Sequence, residues 1–286
     1  MQHKIEQLFG LKFNPFAPEV PLEALYVSPR VENFLWRIEN ALLREGGFAM
    51  VTGLPGLGKS VTLRLAEKRL SRLASNERQI AAIHHPQSNV ADFYRELGDH
   101  FNIALKPSNR WNSFKSLRER WLEYLGQSRR RSIILVDEAQ ECSPAVLSEL
   151  RLMSSHCFDS QMLLCIVLAG DERLPEKLRR DDLLPLLSRI RIRLAFEPLE
   201  PQELRAHLDH ILEAAGNAAL MTEPLRNILC EHALGNPRVL MSNAGELLMA
   251  AAKQDLSQLD EKLYFQTFPT SGAAAKRRAG AKAAAA

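Results

Sequence analysis

The eight residues Gly53-Leu54-Pro55-Gly56-Leu57-Gly58-Lys59-Ser60 read G-x-x-x-x-G-K-S, and an apolar run, Phe48 to Val51, leads into them. A helix-like run from Val61 to Leu70 follows. That order, strand then glycine loop then helix, is the setting in which such a loop cradles phosphate. Glycines let the backbone curl so that successive N–H groups point inward, and the dipole of the following helix adds positive potential at the same place. A chain built around this loop is constrained to an α/β fold with the loop at the edge of a parallel sheet. The pattern assigns Gly53 through Val61 to a nucleotide, with Lys59 reaching the β- and γ-phosphates and the Ser60 hydroxyl on Mg²⁺.

The remaining periodicities agree with that fold. Strands are expected at Phe48 to Val51, Gln79 to His84, Ser132 to Val136, Leu163 to Leu168 and Ile190 to Phe196. Helices are expected at Ser60 to Leu73, Val90 to Phe101, Ser113 to Gln127 and Pro144 to Ser154. Alternation on this scale predicts a five-stranded parallel sheet covered on both faces. Beyond Pro198 the strand signal stops, and Pro201 to Gly216, Glu223 to Ala233, Pro237 to Lys253 and Asp260 to Phe265 read as helices. The expected organisation is therefore an irregular Pro- and aromatic-rich arm lying across the nucleotide domain (1–30), an αβα nucleotide domain (31–197), a small all-helical lid (198–267) and a disordered tail (268–286). Within the nucleotide domain, residues 31 to 45 read as a first helix.

Composition narrows the classes further. With 46% hydrophobic and 25% charged residues the chain is ordinary for a globular protein. Its formal charge of +3 is carried by Lys276, Arg277, Arg278 and Lys282 in the alanine-rich tail, so net charge does not identify nucleic acid as a partner. Cys142, Cys157, Cys165 and Cys230 lack C-x-x-C spacing and read as reduced packing residues. There is no signal-like N-terminus, and the apolar stretch Met162 to Ala169 falls far short of the ~20 residues that cross a bilayer. A cytoplasmic protein without a membrane segment is expected.

Ser132 to Val136 is a buried-strand run that ends in Asp137-Glu138. Such a strand is apolar because both of its faces are covered, and an acidic end implies a cation there. Asp137 is placed on the hydrated Mg²⁺, directly or through water, and Glu138 as the general base that orients the attacking water. Together with the loop, this pair argues for a hydrolase that drives conformational change rather than for a kinase acting on a small acceptor.

These two motifs, the Asn14-Pro15-Phe16 opening and the segment Asp137-Glu138-Ala139-Gln140 resemble the AAA+ ATPases of the ExeA and TnsC kind. That group includes secretion ATPases and transposition regulators related to TnsC, TniB and MuB. The resemblance, over roughly residues 8 to 255, implies several further roles. Asp171, after the fourth strand, falls where the family senses the γ-phosphate, although the family more often has an amide or hydroxyl there; a turn-forming Asp is the other reading. Arg189 is the arginine finger, with Arg191 and Arg193 as runners-up or a solvated strand face. Arg238, in Gly235-Asn236-Pro237-Arg238, reaches from the lid to the phosphates, and Tyr26 and Val27 close over the adenine.

The resemblance also implies a homo-oligomer, a ring or a helical filament with about six to seven subunits per turn. Lys106, Arg110, Lys115 and Arg118 are the candidate contacts to double-stranded DNA, set against a solvated helix face with Phe114, Leu117 and Trp121 as its core stripe. Two functions remain open. One is an ATP-dependent regulator of DNA transposition that assembles on target DNA and recruits a DDE transposase, with a target-selector protein as a further partner. The other is a soluble ExeA-like secretion or protein-remodelling ATPase. ExeA-like proteins usually continue into a transmembrane segment, and the end of this chain after the lid tilts the expectation toward transposition.

Overall fold

A computed structural model describes residues 2–73, 79–84, 86, 89–106 and 109–268. The expected tail lies outside the described residues from 269 onward. The chain divides into two compact units, Val27–Glu197 and a second made of Met1–Tyr26 with Pro198–Ala286.

In Val27–Glu197, five strands form one parallel sheet. They are β1 (Gly47–Thr52), β2 (Ile80–Ile83), β3 (Ser132–Val136), β6 (Leu164–Gly170) and β7 (Ile190–Ala195), in the order β2-β3-β6-β1-β7. β3 and β6 are buried along their whole length, which explains their unbroken apolar sequence. Because side chains alternate across a strand, neighbouring residues feed opposite cores. Phe48, Met50, Ile134, Val136, Ile166 and Leu168 join one core, and Ala49, Val51, Ile133, Leu135, Cys165 and Val167 the other. Edge strand β7 buries Ile190, Ile192 and Leu194 and exposes Arg191 and Arg193.

The helices follow the expected spans closely. α4 (Lys59–Leu73), α5 (Val90–Phe101), α6 (Arg110–Ser128) and α7 (Pro144–Ser154) connect the sheet, with α8 (Arg173–Leu178) and α9 (Leu184–Leu187) before the last strand. The helix expected at 31–45 is broken in type. α2 (Pro29–Arg37), capped by Ser28, passes through a π-turn at Ile38–Leu42 into α3 (Leu43–Glu45). The wider turn advances the helix face, so that Ile38, Leu42 and Leu43 are all buried. In α6, Leu117 and Trp121 are fully buried and Trp121 meets Phe101 edge-on at 5.5 Å, as the core stripe requires.

No strand pair was expected between α7 and β6. Ser155–His156 (β4) and Gln161–Met162 (β5) pair as a small antiparallel hairpin. Its turn carries Cys157, Phe158 and Asp159 at φ of 48°, 54° and 64°. None of the three is a Gly or Asn, and Asp159 alone is of a type that tolerates this conformation well, so the usual signature of a left-handed turn is weak. Cys157 is exposed, which corrects its assignment as a packing residue, whereas Cys142, Cys165 and Cys230 are buried. Burial pushes the Cys142 and Cys165 thiols up to about 12.

In the second unit, α10 (Pro201–Ala215), α11 (Glu223–His232), α12 (Pro237–Lys253) and α13 (Glu261–Thr267) form a helical cluster, and Thr222, Asn236 and Asp260 cap the last three. The N-terminal residues are a correction to the expected arm. Gln2–Phe9 form a helix, α1, and Ile5, Phe9, Leu11, Val20 and Ala24 are buried in the same core as Leu208, Leu212 and Leu248. Ile5, Leu8 and Phe9 lie three and four residues apart, a short amphipathic stripe that the prolines downstream obscured. The N-terminal residues up to Tyr26 therefore group with the helical cluster. Among the described residues no helix is long and apolar enough to cross a membrane.

Half-buried His207 on α10 packs 4.4 Å from the Tyr26 ring. Burial drives its pKa from 6.5 down to about 4, against the pull of Glu203 and with the help of His210. The folded protein thus holds His207 neutral where the unfolded chain would protonate it. Its stabilising contribution is complete above pH 6.5 and is lost as the pH falls toward 4, by about 2 kcal/mol after allowance for partial exposure. Urea unfolding at pH 7 and pH 4.5 should show this loss, and His207→Phe should shrink it.

Candidate nucleotide site

Parallel pairing brings the C-terminal ends of three adjacent strands to one edge of the sheet. Thr52 pairs with Gly170 across β1 and β6, and Val136 pairs with Leu168 across β3 and β6. Gly53, Asp137 and Asp171, which follow these strands, therefore lie along one edge of the sheet. Gly53 sits at φ 151°, and a Cβ there would come within 2.7 Å of the Phe196 Cβ and 2.8 Å of its carbonyl oxygen. Only glycine lets the loop leave β1 at that point.

Lys59 opens α4 and is buried, with 6% of its surface exposed. Its Nζ donates to the carbonyl oxygens of Gly53 at 2.8 Å and Leu54 at 3.1 Å, which fixes the ammonium over the loop. An ammonium has three donors, so one remains for an anion. The first turn of α4 is secured by Thr62, whose hydroxyl donates to the Gly58 carbonyl at 3.0 Å. Leu57 is buried beneath the loop, while Leu54 and Pro55 are exposed on its outside.

Ser60 and Asp137 line the same cleft, of about 100 Å³, together with Glu67 and His84. A hydroxyl and a carboxylate are hard oxygen donors suited to Mg²⁺, which takes few protein ligands and keeps water and phosphate for the rest. No group of three or more His, Cys, Asp or Glu among the described residues forms a dedicated metal cage. The donor set fits a nucleotide-borne Mg²⁺, which when bound would neutralise phosphate charge beside Ser60 and Asp137.

Glu138 adopts a left-handed backbone at φ 48°, an unfavourable conformation for a side chain of its length, and its N–H donates to its neighbour's Asp137 Oδ1 at 3.0 Å. The carboxylate accepts from Gln140 Nε2 at 2.5 Å. Gln140 is itself buried, and its Oε1 accepts from the Asp171 backbone N–H at 3.2 Å. Gly170 makes room for this bridge, since a Cβ there would lie 2.6 Å from Gln140 Oε1. Sequence reasoning assigns Gln140 no role; the signal it carries is an amide two residues after the acidic pair.

The Asp171 carboxylate accepts from the Arg173 backbone N–H and from Arg173 Nε, both at 2.9 Å. Burial raises its pKa, but Arg173's hydrogen bonds and charge, with Lys59 more distant, outweigh this and hold it below the usual range. The acid at this strand end is thus balanced by Arg173, which also pairs with Glu141 at 2.7 Å. Its side chain shapes a turn, and its backbone N–H carries the link to Gln140.

The three arginines near β7 differ in their commitments. Arg189 pairs with Asp159 of the hairpin and donates to the Pro185 carbonyl at 2.6 Å. Arg191 pairs with Glu45 at 2.6 Å. Arg193 donates to the Leu187 carbonyl at 3.4 Å and has no carboxylate within ion-pair distance among the described residues. In the helical unit, Arg238 is exposed on the first turn of α12, where its backbone N–H is capped by the Asn236 side chain at 3.0 Å. Tyr26 belongs to that unit and packs on His207 and His210, whereas Val27 packs in the α/β unit.

The candidate DNA contacts are largely engaged within the chain. Arg110 forks onto Glu149, a nearly buried carboxylate that also accepts from Tyr94 Oη at 2.5 Å. Tyr94's pKa is raised by burial and by Glu149, so its hydroxyl stays a donor. Arg118 bonds His156 Nδ1 and lies 5.6 Å over the Phe114 ring. Lys115 pairs with Glu119 at 3.8 Å, and Lys106 is exposed. The structure does not gather these four into one free basic surface.

Comparison with known proteins bears on this arrangement. Residues 42–178 match the AAA domain family. The General secretion pathway protein A of Aeromonas hydrophila is 31% identical over 244 residues, covering 80% of this chain and 44% of the relative, so the chain spans less than half of that protein. Among solved structures, Cdc6p from Pyrobaculum aerophilum shares the fold with a TM-score of 0.66 at 17% identity, over 86% of this chain and 67% of that one. Domain III of the replication initiation protein DnaA from Thermotoga maritima does so with a TM-score of 0.58 at 20% identity, over 88% and 96%.

Arg110→Ala should leave the Glu149 carboxylate buried and unpaired, lowering unfolding free energy by about 2 kcal/mol in urea titration. Adding Glu149→Gln should recover most of that loss, because a neutral amide still accepts from Tyr94.

Proposed function

The chain is an AAA+ protein of the ExeA-like group, and from its site we infer that it binds Mg-ATP and hydrolyses it to drive a protein client. The observation that carries this is the alignment of the loop, Asp137-Glu138 and Asp171 at the ends of three neighbouring strands. Loop N–H groups and Lys59 bind the β- and γ-phosphates, and Ser60 and Asp137 hold the Mg²⁺ that the nucleotide brings. Glu138, oriented by Gln140, takes the proton of the attacking water. Gln140 ties that base to the β6 strand end, so a change there reaches the base directly.

We assign assembly-dependent hydrolysis to an arginine offered from one copy to the next in a homo-oligomer. Arg189 is the first choice and Arg193, which lacks an acidic partner among the described residues, the second. We assign the site to the cytoplasm, where ATP is plentiful. A protein client is favoured over a transposition complex on two grounds. The 31% identical relative is a secretion pathway protein. Of the residues proposed for DNA, Arg110 is committed to the Glu149 carboxylate and Lys115 to Glu119.

Lys59→Ala should abolish ATP binding in equilibrium titration. Glu138→Gln should keep binding but slow hydrolysis by about a hundredfold or more. Hydrolysis by Glu138→Gln at the parental rate would remove Glu138 from the role of base.

A further inference from the structure

α6, the end of α7 and the β4–β5 hairpin enclose a second cavity, of about 720 Å³. Its apolar wall is Trp111, Phe114, Leu152 and Phe158, and all but Phe114 are exposed, Trp111 at 73% and Phe158 completely. Phe158 stands at the centre of the strained turn, between Cys157 and Asp159, so the hairpin holds a large apolar side chain in water by an unfavourable backbone. Nothing in the nucleotide site uses these residues.

The charges of the groove are unbalanced. Glu149 is taken by Arg110 and Asp159 by Arg189. Among the described residues, Arg118 bonds the imidazole of His156 and lies over the Phe114 ring, and Arg151 has no carboxylate within ion-pair distance, its charge being felt by Asp159 at longer range. Two guanidinia that form no ion pair among the described residues therefore stand beside an aromatic wall, an arrangement complementary to a carboxylate next to an apolar anchor. A nucleic acid is matched less well. Trp111 and Phe114 stack on each other at 16°, which occupies one face of each ring and leaves less aromatic surface for successive bases.

We propose that this groove docks a short acidic segment of a protein partner, with an aromatic or large aliphatic residue seated against Trp111 and Phe158 and an adjacent Asp or Glu on Arg118 and Arg151. Asp159 belongs to both the groove and the Arg189 ion pair, so an occupant that draws the hairpin away releases Arg189. That link rests on the finger role assigned above; the docking site does not.

The test is selection of displayed random dodecapeptides on the full-length protein, followed by anisotropy titration of the winners. Selected peptides should combine Phe, Trp or Leu with Asp or Glu within three positions. Their affinity should fall at least tenfold in Arg118→Glu/Arg151→Glu and in Phe158→Ser, whose side chain is exposed enough to keep the fold intact. No enrichment, enrichment of basic peptides, or affinity unchanged in both variants overturns the site. So does displacement of the peptide by a mixed-sequence single-stranded DNA 20-mer that binds more tightly. For the link, a bound peptide should raise ATP turnover severalfold, and Asp159→Asn should raise it without peptide. Binding without any change in turnover overturns the link and leaves the site; if Arg189→Ala also turns over normally, the finger assignment is what fails.

Discussion

The register of β3 and β1 on β6 is the constraint on which the rest of the site depends. Three strands of different sequence end at one edge, β1 level with β6 and β3 two residues short of it, because parallel hydrogen bonding fixes Val136 opposite Leu168 and Thr52 opposite Gly170. A slip of one residue would exchange the two faces of the strand, sending Met50 into the core meant for Val51 and Ala49. The apolar packing on both sheet faces therefore sets where the polar groups appear. The chemistry of the edge is positioned by side chains that never touch it.

Much of this was legible in the residues. Strands buried on both faces announce themselves as unbroken apolar runs, and the glycine loop announces the turn that follows one of them. Helix ends were legible because Ser143, Thr222, Asn236 and Asp260 cap them in the expected way. The β4–β5 hairpin was not, since its turn is built from Cys157, Phe158 and Asp159, of which only Asp159 belongs to a residue type that visits left-handed backbone readily. The N-terminal helix was hidden for a different reason. Ile5, Leu8 and Phe9 make a stripe only two turns long, and a pattern so short gains its stability from the helices it packs against.

Arginines were the least legible part of the site. Arg110, Arg118, Arg189 and Arg193 look alike in a sequence, yet one neutralises a buried carboxylate, one spans an aromatic ring and an imidazole, one is held by the hairpin, and one has no acidic partner among the described residues. Those differences arise from residues 30 or more positions away, such as Glu149 for Arg110 and Asp159 for Arg189. The expectation of DNA contacts came from counting cations along α6. Long-range pairing, which sequence spacing does not reveal, decides how many of those cations remain to meet a partner.

The amide of Gln140 has one end on the Glu138 carboxylate and the other on the backbone of Asp171. An amide is rigid and planar, so these two bonds behave as a strut of fixed length. A shift of the β6 terminus by the width of a hydrogen bond would break one end or drag the carboxylate with it. With Glu138 in the role proposed above, a movement of the β6 end would therefore switch the site off mechanically, while Lys59, Ser60 and Asp137 keep their identity and their charge.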